Sequence, residues 1–146
     1  MIEVKEITKN YGRKKILKGV SFTANKGEIT CLIVINGVGK TTILNAIMAL
    51  TPINKGQILI NGETINKNMF EKITFIPDAI TMLPQMKISE AMAFMNDFYT
   101  CWNQKRATEL LGFLRLNEQD RISSLSKGNA AKVNLLLGLA MDVDFV

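Results

Sequence analysis

The sequence predicts an α/β fold, and three observations support that class. Residues 29–33 are apolar and β-branched like a fully buried strand, a glycine-rich loop follows, and residues 42–50 then show the apolar spacing of a helix. The residues before this unit alternate as antiparallel strands do, and those after residue 88 have helical spacing. With 146 residues, 47% of them apolar, the chain has the length of one domain and can form a core.

The N-terminal half is expected to be rich in strands. Residues 2–8 alternate between apolar and polar and predict a first strand, residues 10–12 predict a turn, and residues 17–24 predict a second strand. Beyond the helix, residues 57–62 predict a short strand closed by an Asn-Gly turn, and residues 73–76 predict a buried strand that a proline ends. The chain therefore opens with an antiparallel β piece.

The C-terminal half is expected to be helical. Ser89 is a candidate N-cap for a helix that runs to about residue 102, and further helices are predicted over residues 104–116 and 129–141, with a polar loop between them. Residues 144–146 begin what we expect to be one more strand.

The glycine-rich loop has the residues of a phosphate-binding site. Gly37 and Gly39 let successive backbone N–H groups point at phosphate oxygens, and the helix that follows adds its positive end. Lys40 is placed to bridge β- and γ-phosphates, and the Thr41 hydroxyl to bind Mg²⁺. The alternative is a glycine-rich turn with a solvated lysine. The predicted nucleotide-binding residues of the loop are Asn36, Gly37, Val38, Gly39, Lys40, Thr41 and Thr42.

One position departs from the full phosphate-loop pattern. The pattern has glycine where this chain has Val34, and a β-branched residue resists positive φ. A backbone that needs glycine there would be strained by about 1–3 kcal/mol. We expect Val34 to weaken nucleotide binding.

Composition limits the class of protein. The net charge of +5 suits an anionic partner such as a nucleotide, a nucleic acid or an acidic membrane, although ordinary solvated lysines explain it equally well. The N-terminus has no hydrophobic signal core and no stretch approaches the length of a membrane span, so we expect an intracellular chain. Cys31 and Cys101 lack metal-ligand spacing, which favours reduced thiols, and the chain has no histidine to act as a base.

Four further stretches, in order and spacing, narrow the function. Tyr11 precedes Lys40 by 29 positions, residues 58–62 and 73–78 follow, and residues 125–129 read Leu-Ser-Lys-Gly-Asn. Over residues 2–146 the chain thereby resembles the nucleotide-binding subunit of ABC transporters.

The resemblance implies an incomplete P-loop NTPase-type ABC ATPase fold. Its expected parts are a β-rich part and ATP-binding core over residues 1–87, a helical subdomain over residues 88–138, and the start of the Walker B strand over residues 139–146.

The resemblance also implies roles for single residues. Tyr11 matches the aromatic that stacks on adenine, although a tyrosine can also simply close a turn. Ser126 and Gly128 match the L-S-G-G-Q signature, which binds the γ-phosphate held by a second subunit. As an alternative, Ser126 is only a helix N-cap. The signature departs from the family pattern at Lys127 and Asn129.

The Q-loop of the family matches the stretch that ends at Asp78. A carboxylate there can bind Mg²⁺ together with Thr41, but while ionised it cannot donate a hydrogen bond to water as the family's glutamine does. Residues 82–86, rich in methionine, look like the region that docks on the transmembrane subunit, with core filling as the alternative.

The predicted function is that of an ATP-binding subunit that drives transport across a bacterial membrane, with ATP and Mg²⁺ as cofactors. Two such subunits are expected to pair head to tail, at the cytoplasmic face of a membrane partner. The family's Walker B aspartate, catalytic glutamate and switch histidine are not in this sequence, so we expect a fragment with little hydrolysis and an open strand edge that self-associates. The alternatives are a non-catalytic interaction fragment, or an ABC-type protein acting on ribosomes or nucleic acid. No nucleic-acid partner is expected.

Overall fold

A computed structural model describes residues 1–33, 39–65 and 71–146. The chain forms two compact units, residues 1–69 and 70–146. The predicted division into a core over residues 1–87 and a helical subdomain from residue 88 stays a prediction.

The first unit is built on a four-stranded antiparallel sheet in the order β2-β1-β3-β4. Strand β1 spans Ile2–Tyr11, β2 Lys14–Ala24, β3 Lys55–Ile60 and β4 Glu63–Thr64. The predicted antiparallel β piece is confirmed. Its first turn lies at Gly12 and Arg13 rather than over residues 10–12, because β1 continues through Tyr11 to pair with Lys14.

The core of the first unit follows from strand alternation and one helix. The apolar residues of the central strands are buried at alternate positions apart from a bulge in β1, and helix α1, Lys40–Ile47, adds one apolar stripe to the core. The buried apolar residues of this unit are Ile2, Val4, Ile7, Leu17, Ile43, Ala46, Ile47, Ile58 and Ile60.

The buried strand predicted over residues 29–33 is wrong. These residues belong to no strand, Cys31 is exposed, and Ile29 and Ile33 are 101% and 88% exposed. A buried parallel strand depends on neighbours at both of its edges. No segment within the described ranges pairs with residues 29–33, so Ile29 and Ile33 face solvent and Leu32 is only half-buried.

The described part of the second unit contains three α-helices, as predicted, and a short 3₁₀ helix at Ile122–Ser124. Helix α2 spans Ile88–Phe98, α3 Gln104–Phe113 and α4 Lys127–Leu139. Ser89 is not the cap of α2: the N-cap is Lys87, two residues earlier, and the Lys87 N–H donates to the Glu90 carboxylate at 2.8 Å. Its N-terminal capping therefore starts at Lys87.

The core of the second unit lies between these helices. Each helix turns an apolar face toward the others, and the connections between them add Trp102 and Ile122. The remaining buried residues of this core are Ile88, Ala91, Met92, Met95, Ala107, Val133, Leu136, Leu137, Ala140 and Met141.

The strand predicted at residues 144–146 makes a short parallel contact. Phe145 bridges Ile73, the Thr74 N–H donates to the Phe145 carbonyl at 3.0 Å, and the Asp144 N–H donates to the Lys72 carbonyl at 2.9 Å. The four-residue strand predicted at 73–76 is wrong in extent, because only its first residue forms a bridge.

Candidate nucleotide-binding site

The end of the glycine-rich loop leads directly into helix α1. Gly39 is the N-cap, with φ 119° and ψ −29°, and its carbonyl accepts from the Ile43 N–H at 2.8 Å. A Cβ at Gly39 would lie 3.3 Å from Leu17 Cδ2, so both the positive φ and the close packing favour glycine. The loop residues Val34, Asn36, Gly37 and Val38 lie outside the described residues.

Lys40 and Thr41 occupy the first turn of α1, which begins two residues earlier than predicted. Both side chains are exposed, and neither makes a hydrogen bond or ion pair with another residue that the structure describes. The first N–H groups of a helix have no partner inside it, and the helix dipole makes this end positive. No acidic residue stands in the turn to oppose that charge. The arrangement suits an anion such as a phosphate group.

Tyr11 ends strand β1 on the same unit as α1. Its side chain is 53% exposed, and the Lys9 ammonium lies 5.0 Å from the centroid of its ring. A half-exposed aromatic ring at the end of a rigid strand is a suitable surface for stacking a planar base. Its predicted role on adenine stays a prediction.

Ser126 is the N-cap of helix α4, which is the alternative role that the sequence predicted for it. Its Oγ accepts a hydrogen bond from the Asn129 N–H at 3.2 Å, and Lys127 and Gly128 form the first turn. A Cβ at Gly128 would meet nothing within 4 Å, so the surface beside this glycine is open. An N-cap and a phosphate ligand need the same serine geometry, and binding at Ser126 and Gly128 therefore stays a prediction.

The segment that ends at Asp78 is fixed to helix α4. The Asn134 amide, 7% exposed, donates to the Pro77 carbonyl at 2.9 Å. Gly138 of the same helix leaves space for Ile76. Asp78, which follows, is exposed. The second unit thus connects the predicted Q-loop position to the helix that Ser126 caps.

Sequence reasoning missed Asn134. The sequence feature that could have identified Asn134 is that a polar residue stands among the apolar positions of α4, next to Val133 and close to Leu136. A buried amide of this kind needs a hydrogen-bond partner, which the backbone before Asp78 supplies.

Residues 82–86 fill the core with two side chains and expose a third, and their role in docking stays a prediction. Met82 and Met86 pack against the core of the second unit, as core filling predicts, whereas Leu83 is 57% exposed. The segment is held by backbone bonds: the Ile122 N–H donates to the Met86 carbonyl at 2.9 Å and the Ser123 N–H to the Pro84 carbonyl at 2.8 Å. It therefore presents an apolar side chain from a fixed backbone.

The two predicted Mg²⁺ ligands lie on different units, Thr41 on the first and Asp78 on the second. The described ranges contain no group of three or more histidine, cysteine or acidic side chains that would hold a metal ion without further ligands. No helix among those ranges is long and apolar enough to cross a bilayer.

Comparison with known proteins gives consistent matches along the chain. A family model described as ABC transporter matches residues 17–146. The linearmycin resistance ATP-binding protein LnrL of Bacillus subtilis is 34% identical over 143 residues, which cover 92% of this chain and 46% of that protein. The petrobactin import ATP-binding protein YclP of the same species is 29% identical over 160 residues, covering 100% of this chain and 62% of that protein.

A solved structure shares the fold. The ATP-binding subunit of an ABC transporter superimposes with a TM-score of 0.85 at 25% identity, over 96% of this chain and 62% of that one. The chain thus spans about half to two thirds of the length of these relatives. The predicted fold class, an incomplete α/β ABC ATPase fold with an antiparallel β piece and a helical part, is confirmed. Because the family model covers most of its residues, this chain belongs to the ABC transporter family, where it matches the ATP-binding domain.

Proposed function

We propose that this chain binds ATP as part of the ATP-binding subunit of an ABC transporter, and that binding drives transport through a membrane partner. The observation that carries the proposal is the first turn of α1, where Lys40 and Thr41 project without partners among the described residues directly after Gly39. Free N–H groups, a lysine and a hydroxyl are the groups that bind a triphosphate and its Mg²⁺.

The other parts of the proposal follow the family pattern. Tyr11 stacks on the adenine, and Ser126 and Gly128 contact the γ-phosphate of ATP bound to a second subunit. The Thr41 hydroxyl binds Mg²⁺, and the exposed Asp78 carboxylate offers an oxygen of the kind that Mg²⁺ prefers. The exposed Leu83 in residues 82–86 supports docking of a transmembrane subunit at the cytoplasmic face of the membrane. The proposal assigns ATP binding, not hydrolysis, to these residues.

Stabilisation by ligand tests the proposed function. Mg-ATP at a hundred times its Kd should stabilise the chain by about 2.7 kcal/mol, which is measurable as a raised thermal midpoint. Lys40→Ala should remove most of this shift, because its cation is lost while the exposed side chain contributes little to the fold. Val34→Gly should enlarge it.

Lys18→Ala is the matched control. Lys18 is an exposed lysine of β2, so its loss removes the same charge from an element other than α1 and should leave the ATP shift unchanged. If Mg-ATP does not raise the midpoint of the unmutated chain or of Val34→Gly, the proposed function is wrong.

We also propose that the chain associates with a second copy of itself through residues 29–33. The exposed Ile29 and Ile33 support this, since apolar side chains along an unpaired segment favour pairing with another chain. Replacing both by lysine should shift the protein from oligomer to monomer in sedimentation velocity. Phe113→Lys, at another exposed apolar position, should not. A monomeric unmutated chain at high concentration would contradict this proposal.

A further inference from the structure

Lys9 is a lysine in an unusual position. It is only 9% exposed, although the flexible stem and charge of lysine normally keep it in water. Its ammonium donates to the Pro52 carbonyl at 2.6 Å and lies 5.0 Å from the centroid of the Tyr11 ring. No carboxylate forms an ion pair with it among the described residues. The carbonyl and the ring face are therefore its two partners.

The segment that contains the Pro52 carbonyl is bound to strand β1 through Asn54. The Asn54 N–H donates to the Thr8 carbonyl at 2.8 Å, and the Asn10 N–H donates to Asn54 Oδ1 at 2.7 Å. These bonds attach the connection between α1 and β3 to the end of β1 on both sides of Lys9. The ammonium consequently has a defined position under the ring, rather than one chosen among many rotamers.

We propose that Lys9 is a positioning residue for the purine base: its ammonium occupies one face of Tyr11 and leaves the other face for the base of the nucleotide. This inference rests on the proposed function, in which Tyr11 stacks on adenine. Lys9 itself contacts neither the base nor the phosphates.

The physical reason is the charge distribution of the aromatic ring. A cation on one face is attracted by the π electrons and holds the ring in place. It also draws electron density toward itself, so the opposite face becomes a better stacking surface for an electron-rich purine. Both effects strengthen stacking of the base on Tyr11, and neither changes how the phosphates are bound. Binding of a polyphosphate without a base should not depend on Lys9.

The experiment compares the affinities of the full chain for Mg-ATP and for Mg-tripolyphosphate, a probe without a base. Lys9→Met retains the length of the stem and removes the charge. It should raise the Kd for ATP about two- to five-fold, the range of an exposed to partly buried cation–π contact, and leave the Kd for tripolyphosphate unchanged. Lys9→Arg retains a cation and should keep the selectivity of the unmutated chain.

Controls separate this role from general stability. Lys18→Met removes an exposed lysine and should change neither Kd. Tyr11→Leu should lose the preference for ATP by itself, and adding Lys9→Met to it should have no further effect. If Lys9→Met does not melt cooperatively, Lys9→Gln replaces it, because glutamine still offers a donor to the Pro52 carbonyl but has no charge.

The outcomes distinguish two failures. Equal weakening of ATP and tripolyphosphate, or no weakening of either, overturns the role of Lys9 while leaving the proposed function intact. If the unmutated chain binds tripolyphosphate no more weakly than ATP, Tyr11 contributes no base contact and the inference is also wrong. If the unmutated chain binds neither probe, the proposed function fails, and this inference fails with it.

Discussion

Gly56→Ala is expected to destabilise the chain by about 3–5 kcal/mol, among the largest effects of a single substitution. Gly56 lies in β3 with φ 96°, where a side chain costs about 1–2 kcal/mol. A Cβ there would also lie 2.5 Å from the carbonyl oxygens of both Lys5 and Glu6. Backbone atoms cannot rotate away, so β3 would have to separate from β1. The measurement is the midpoint of urea unfolding followed by circular dichroism.

The rigidity of the opposing strand makes this separation costly. Glu6 lies at φ 48° in a bulge, where the pairing register of β1 shifts between Lys5 and Thr8. Ser21 fixes the bulge: its hydroxyl accepts from the Glu6 N–H at 2.8 Å and donates to the Glu6 carboxylate at 2.9 Å. The bulge therefore cannot yield without breaking these bonds.

Gly62→Ala separates the two causes. Gly62 has a similar φ of 83°, but a Cβ there meets nothing within 4 Å. This control should cost only the backbone strain of about 1–2 kcal/mol. If both substitutions lower the midpoint equally, the close approach of the new Cβ to the β1 carbonyl oxygens does not contribute to the loss of stability, and the explanation is wrong.

The bulge also shows where sequence patterns stop being informative. Val4 and Ile7 are both buried although three positions separate them, which breaks the two-residue alternation of a strand. That break was the available signal for the bulge. The presence of both strands was predictable from local composition, although their ends were not. The atoms that Gly56 approaches belong to a strand some fifty positions earlier and cannot be read from the neighbours of Gly56.

The failure at residues 29–33 has a related cause. Their composition fits a buried strand, yet burial of a parallel strand is decided by its partners, and no described segment pairs with them. The helices were easier to predict, because helix periodicity is local. Motif spacing identified Lys40 and Ser126 as site residues, but the structure puts Lys40 inside α1, which begins two residues earlier than predicted, and Ser126 in its alternative role as the cap of α4. The contacts of Lys9 and Asn134 were missed, because each depends on a backbone carbonyl far along the chain.

Helix α4 contains the second position where a single methyl group should have a large effect. A Cβ at Gly138 would overlap Ile76 Cγ1 and lie 2.6 Å from Ile76 Cδ1. Gly138→Ala should therefore push the segment before Asp78 away from the helix. The expected loss is about 1–3 kcal/mol of overpacking. The Asn134 bond to the Pro77 carbonyl should weaken as well, and hydrogen exchange of the Asn134 side-chain amide would report that change.

Gly112→Ala on α3 is the control for helix propensity. A Cβ there meets nothing within 4 Å, so alanine should stabilise the chain by about 0.5–1 kcal/mol, as in any exposed helix. If Gly112→Ala raises the stability and Gly138→Ala lowers it, the contact with Ile76 is the cause of the loss.

A second-site substitution makes the test decisive. Ile76→Ala removes the Cγ1 and Cδ1 atoms that the new methyl group meets. The double variant with Gly138→Ala should therefore lose less stability than the sum of the two single losses. Simple addition of the two losses would mean that Gly138 is required for another reason. Recovery would show that this glycine sets how closely the segment before Asp78 lies against α4. The same contact would then also determine where the predicted Q-loop residue stands relative to the helix capped by Ser126.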